Sequence, residues 1–151
     1  MNLQQLKEKL KEDEATLVAK VKGEIYESHL HGIGPILNPM KENQSFFEDA
    51  IVVDRVIGKA TAMLLVLSKV QYVYAYVMSE KAKEILDMYH VEYGYEETVP
   101  YIINRTHDGM CPMERIVNDL HDPQEVFQCL KKQVKILKER KENNESKSLF
   151  Y

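Results

Sequence analysis

The chain has no apolar run near the roughly 18 residues that a membrane-spanning helix needs, so no membrane span is expected. Its opening, Met1-Asn2-Leu3-Gln4-Gln5, lacks the charged and then apolar regions of a secretory signal. There are only two cysteines, Cys111 and Cys129, too few for a disulfide framework and in keeping with a reducing, cytoplasmic setting. Excess positive charge is also missing. The net charge is -4, which argues against general nucleic-acid binding. The one basic concentration, Lys131 to Lys141, ends a helical pattern and reads as a solvated face. Glycine-rich phosphate loops, the dinucleotide fingerprint and the G-x-S-x-G elbow are absent, as is any C-x-x-C. His29 and His31 share a strand face, and His107 precedes Cys111 by four residues. Neither pair fits an established zinc pattern, so the residues point to no metal and no cofactor.

What remains has the composition of an ordinary globular protein, and 151 residues suit one domain with a full core. Residues 2–13 are helix-compatible, with Leu3, Leu6 and Leu10 on one face. Thr16 to Val21 alternates as a strand, Lys22-Gly23 is a tight turn, and Glu24 to Ser28 returns, which predicts a β-hairpin. A joint at His31 to Pro35 leads to a short helix over 36–42, and Asn43 to Glu48 is loop. From Val53 to Leu67 apolar residues fall at 53, 56, 57, 60, 64 and 67, the helical period. Ala62, Met63, Leu65 and Val66 fill the opposite side, which predicts a buried helix. Tyr72 to Met78 is β-branched and aromatic, a central strand. Ser79 caps a helix to about Tyr89, and Val91 to Tyr95 is a further strand. Thr98 to Gly109 is irregular; helices follow over 112–120 and 123–141. A hairpin joined to strand-helix-strand units predicts an α/β fold: a mixed sheet between helices, in three layers. With no repeat and no linker, residues 1–141 read as a single domain, and 142–151 as a polar tail that frays.

One stretch departs from a local rule. Asp122-Pro123-Gln124-Glu125 is a conventional helix start, with an N-cap oxygen, proline at the first position and a capping-box glutamate. Cys111-Pro112-Met113-Glu114 repeats that signal with a thiol as the cap. A thiol there is either a small buried apolar residue or, under the helix dipole, a reactive or ligand-contacting group. The second irregularity is Val53-Asp54-Arg55-Val56-Ile57-Gly58-Lys59-Ala60, where three charged residues open the expected buried helix. Gly58 inside it implies close backbone packing or room for a ligand, because glycine costs about 1 kcal/mol against alanine in a helix.

Asp54 to Ala60, Tyr74 to Glu80, Val99 to Arg105 and Gly109 to Arg115 occur in one fixed order. Together they resemble a small prokaryotic group, domain-of-unknown-function family 1893, over roughly residues 14–131. The resemblance implies a cytidine-deaminase-like fold, a three-layer α/β/α sandwich. It does not carry the deaminase chemistry with it. Zinc deaminases place His-x-Glu or Cys-x-Glu at the start of the first buried helix and Pro-Cys-x-x-Cys at the next. Val53-Asp54-Arg55 and Met78-Ser79-Glu80-Lys81-Ala82 hold neither set.

In α/β sheets ligands gather beyond the carboxyl ends of parallel strands, at helix N-termini. Three helix starts compete for that edge: Asp54-Arg55, Ser79-Glu80 and Cys111-Pro112, with Asn104-Arg105 leading to the third. The expected function is binding, with or without turnover, of a small anionic or nucleotide-like molecule. Arg55, Lys59 and Arg105 would hold the anionic group, and Ser79, Glu80 and Asn104 would line the site. Asp54 and Glu114 would orient the cations or move protons, and Cys111 would be nucleophile or contact. The alternative is a non-catalytic ligand-sensing or oligomeric interaction module, with the tyrosine-rich run from Tyr72 to Tyr101 as a face for a second copy.

Overall fold

The computed structural model describes residues 1–102 and 112–142, the side chains of 112 and 137–142 excepted. The first helix, α1 (Leu3–Glu12), starts at a reciprocal capping box: Asn2 Oδ1 accepts from the Gln5 amide, and Gln5 Oε1 accepts from the Asn2 amide, both at 2.9 Å. Strands β1 (Leu17–Val21) and β2 (Glu24–Ser28) form the expected hairpin. Its two-residue turn has positive φ at Lys22 (49°) and Gly23 (81°), the twist that matches paired strands. Helix α2 (Gly34–Glu42) follows.

The expected helix from Val53 is corrected by the structure. Residues Ile51–Ile57 are a strand, β3, and the helix α3 begins only at Lys59 and runs to Leu67. The reason is in the same residues. Val52, Val53, Val56 and Ile57 are β-branched and stiff, which suits a pleated surface. In the sheet they alternate: Val53 packs against Leu6 and Leu10 of α1, while Val52 belongs to the large core on the other face. Antiparallel pairing with β1 and parallel pairing with β4 (Tyr72–Ser79) satisfy the backbone on both sides.

Helix α4 (Glu80–Met88) leads to β5 (Glu92–Val99), then α5 (Pro112–Val117) and α6 (Pro123–Glu142) close the chain. The Asp122 carboxylate accepts from the Gln124 amide at 3.1 Å at the start of α6. The sheet order is β2-β1-β3-β4-β5, with β3, β4 and β5 parallel and the hairpin antiparallel. Helices lie on both faces, so the molecule is a three-layer α/β/α sandwich. The layers are unequal. Among the described residues α1 alone packs on one face, over β1 and β3, around Leu6, Leu10, Val18 and Val53. The helices from α2 to α6 share the other core with Leu17, Ala19, Val52, Val73 and Ala75. Among the described residues no helix is long and apolar enough to cross a membrane.

Candidate functional site

The parallel strands β3 and β4 end side by side, and each turns directly into a helix. At the second turn Ser79 is a conventional N-cap, its Oγ accepting from the Ala82 amide at 3.1 Å. The first turn has glycine as its cap, which offers no side-chain oxygen. The oxygen comes instead from α5. Glu114 Oε2 accepts from the Ala60 amide at 3.0 Å and so caps α3 across the fold. Gly58 has φ −106° and ψ −173°, extended backbone open to any residue. Its smallness is required for space: a Cβ there would strike the Glu114 carboxylate and come within 2.7 Å of Ile102. Glu114 is buried, and burial raises its pKa, opposed by the amides of Ala60 and Lys59.

Beside this carboxyl group lie two lysines. Lys59 Nζ donates to the backbone oxygen of Asn118, and Lys81 Nζ to the Asn118 side-chain oxygen, each at 2.8 Å. One asparagine thus holds two ammonium groups. Lys59 is only 5% exposed. Burial lowers its pKa, and the charge of Lys81 lowers it further, against the pull of Glu114, Asp119 and Glu84. Lys59, Ser79, Lys81, Pro100, Tyr101, Glu114 and Asn118 line a cleft of about 220 Å³, its open mouth included.

The residues expected at this edge divide into groups. Lys59, Ser79 and Glu114 are brought together. Glu80 does not line the cleft; it accepts from Thr98 Oγ1 at 2.9 Å and stands 3.7 Å from Lys83. Asp54 and Arg55 belong to β3 rather than to a helix start, and neither lines the cleft. Because strand side chains alternate, the two point to opposite faces. Asp54 is buried among the helices' side of the sheet, where desolvation raises its pKa to about 7. Arg55 lies on the α1 face, donating through Nε to Ala15 O at 2.7 Å and through Nη2 to Leu10 O at 3.4 Å. Cys111, Asn104 and Arg105 lie outside the described residues.

Sequence reasoning missed Lys81, Asn118 and Tyr101. A signal for the lysines existed: Lys59 and Lys81 both stand in the first turn of a helix, where the dipole disfavours cations. The zinc comparison also moves to the corrected helix starts. These read Gly58-Lys59-Ala60-Thr61-Ala62 and Ser79-Glu80-Lys81-Ala82, with no histidine or cysteine in either. Among the described residues no group of three histidine, cysteine or acidic side chains gathers as a metal ion needs. The donor set for a deaminase zinc does not fit here.

A mixed five-stranded sheet between helices, with paired helix starts at the carboxyl edge of its parallel strands, defines an α/β/α sandwich. The chain belongs to the family described as TM1506, a domain of unknown function (DUF1893), whose model matches residues 5–134. Its structure is similar to the crystal structure of a DUF1893 family protein from Thermotoga maritima, with a TM-score of 0.80 and 26% sequence identity, over 87% of this chain and 88% of that one. No curated protein matches the chain.

Proposed function

We propose that the protein binds a small anionic molecule in the cleft between the starts of α3 and α4, as a cytidine-deaminase-like scaffold without the zinc chemistry, in a cytoplasmic setting. The observation that carries this reading is the Lys59–Asn118–Lys81 arrangement. Two lysine amines are fixed at one oxygen-bearing residue beside two helix N-termini, and among the described residues Glu114 alone lines the cleft with negative charge. An anion entering there gains from the Lys81 ammonium, from Lys59 when that amine is protonated, and from the helix ends. Its size is limited. The space left free among these side chains is about 10 Å³, room for about one water, so an anionic head group enters only as the lining side chains give way.

The test is thermal unfolding with inorganic phosphate, pyrophosphate, glycolate and AMP, the last probing the nucleotide-like class. The melting temperature of the parent should rise with at least one probe. Lys81→Met, at an exposed position, should abolish the rise and keep the fold, while Arg55→Met on the far face should keep it. A parent unmoved by all four probes sinks the proposal, as does an Arg55→Met variant that loses the response while Lys81→Met keeps it.

A second reading, self-association, is favoured by one observation: the tyrosine side of β4 is only partly covered by α1, with Lys7 4.3 Å from the Tyr74 ring centroid and Lys11 5.3 Å from that of Tyr76. It belongs to a different surface and does not compete with the cleft.

A further inference from the structure

We propose that Lys59 is a nucleophilic amine that condenses with the carbonyl group of a small oxo acid, with Lys81 receiving the acid's carboxylate. This rests on reading the cleft as an anion site and names the substrate class that the site takes.

A lysine attacks a carbonyl only as the free amine, so it must be shielded from water, kept from carboxylate partners and pressed by another cation. Lys59 meets each condition. It is 5% exposed and lines the cleft. Its amine donates to a neutral backbone oxygen, Asn118 O, at 2.8 Å, and no carboxylate lies within 4 Å of it among the described residues. Asn118 holds the second ammonium, that of Lys81, through its other oxygen. A lysine serving only as a clamp on the end of α5 needs none of this. It would bind the same carbonyl while charged and exposed, without a neighbouring cation to repel it.

Glu114 supplies the remaining part. Burial raises its pKa and so holds it closer to its protonated form, beside the first turn of α3 that carries Lys59. The lone pair of Nζ forms a bond to the carbonyl carbon while the carbon–oxygen π pair moves to oxygen. The nitrogen gives up a proton and the oxygen takes one, leaving a carbinolamine. Its carbon–oxygen bond then breaks as the Glu114 acid proton passes to the leaving hydroxyl, which departs as water. The nitrogen lone pair closes the carbon–nitrogen double bond. The Glu114 carboxylate then takes the second proton from the nitrogen and returns to its acid form. Amine and carbonyl have become imine and water, with no oxidant or reductant consumed. Lys59 and Lys81 are both engaged when the acid carries its carboxylate next to its carbonyl.

The experiment treats the full chain with glyoxylate and cyanoborohydride near neutral pH and maps the reduced adducts by peptide mass spectrometry. Lys59 should be labelled several-fold ahead of exposed lysines such as Lys11 and Lys22, and excess glycolate, which has the carboxylate but no carbonyl, should suppress that labelling. Lys59→Arg keeps the charge and a donor to Asn118, and should remove the adduct without loss of the fold by circular dichroism. Lys81→Met should lower labelling of Lys59 near neutral pH and restore it at higher pH, because the repelling charge is gone. Glycolate stabilisation through Lys81 without preferred labelling of Lys59 would overturn the amine chemistry and leave the anion cleft standing. Uniform labelling with no response to glycolate, phosphate or pyrophosphate would overturn both.

Discussion

At Asp54 a carboxyl group is packed on a central strand between β1 and β4, 8% exposed, with the Val56 amide 3.4 Å from Oδ1. Desolvation outweighs that hydrogen bond and the Arg55 charge, and raises its pKa from the ordinary 3.8 to about 7. The folded chain therefore binds a proton that the unfolded chain has released between those two values. Stability falls as pH rises through that window and levels off above it. At about 1.36 kcal/mol per pH unit, the loss is on the order of 4 kcal/mol. Asp54→Asn keeps the shape and an acceptor for the Val56 amide but has no proton to lose. Urea unfolding at pH 4 and pH 8 should show the parent losing stability relative to this variant; a difference that does not change with pH would remove the buried-acid assignment. The sequence did make Asp54, Lys59, Ser79 and Glu114 stand out, since charged residues in apolar surroundings are conspicuous in a one-dimensional pattern. It did not show which of them meet. That Glu114 reaches the start of α3, and that Asn118 collects two lysines, are contacts across 54 and 59 positions for which no local spacing carries a signal.

For the elements, the hairpin, α1, α2, β4, α4 and α6 were legible from turn chemistry, caps or periodicity, while β5 was read only to Tyr95 and runs on to Val99, through Thr98 and Val99 that were expected to be irregular. β3 was not legible. Its apolar residues at 53, 56 and 57 meet the helical period, and the following α3 is apolar nearly all round, so one long helix accounts for the pattern as well as a strand and a helix do. Two local signals favoured the strand: the β-branched content of 51–57, and Gly58 as a boundary rather than an interior helix residue. The misreading moved Arg55 from the α1 face to the candidate site. Gly58 now has a testable meaning at this junction. Gly58→Ala puts a methyl group where the Glu114 carboxylate sits, an overpacking that costs about 1–3 kcal/mol in typical cores. Glu114→Ala removes the obstruction together with the cap, so the two changes should be non-additive, the alanine at 58 costing much less when Glu114 is absent. A double-mutant cycle by urea unfolding measures this. Additive costs would mean that Gly58 and Glu114 are not in contact.

Over the whole molecule, the unequal layers have a consequence. A helix is about 10 Å across and strands lie about 4.8 Å apart, so one helix covers roughly two strands of a five-stranded sheet. On the face opposite the large core, α1 covers β1 and β3. At its flank the parallel register sets Tyr72, Tyr74 and Tyr76 beside Glu92, Gly94 and Glu96 on the same face, with Gln4, Lys7, Glu8 and Lys11 as one wall, net basic because Lys7 and Lys11 lie over the tyrosine rings, and Glu96 as the other. A trough with a basic wall, an aromatic floor and an acidic wall is self-complementary under a two-fold axis, because the basic side of one copy meets the acidic side of the next. The expected occupant is therefore a second copy of this chain, whose α1 would lie over β4 and β5 and complete the layer. Sedimentation equilibrium should find a dimer that weakens as salt rises, since exposed charge pairs are screened. Reversing the basic wall with Lys7→Glu and Lys11→Glu should give a folded monomer, and adding Glu92→Lys and Glu96→Lys to that variant should restore association by exchanging the two walls. A parent that stays monomeric at high protein concentration would rule the arrangement out. So would a charge-reversed variant that dimerises as the parent does, because the contact would then lie on another surface. The cleft at the carboxyl edge opens on the opposite side of the sheet from α1, so the monomeric variant should retain the phosphate or carboxylate response of the parent.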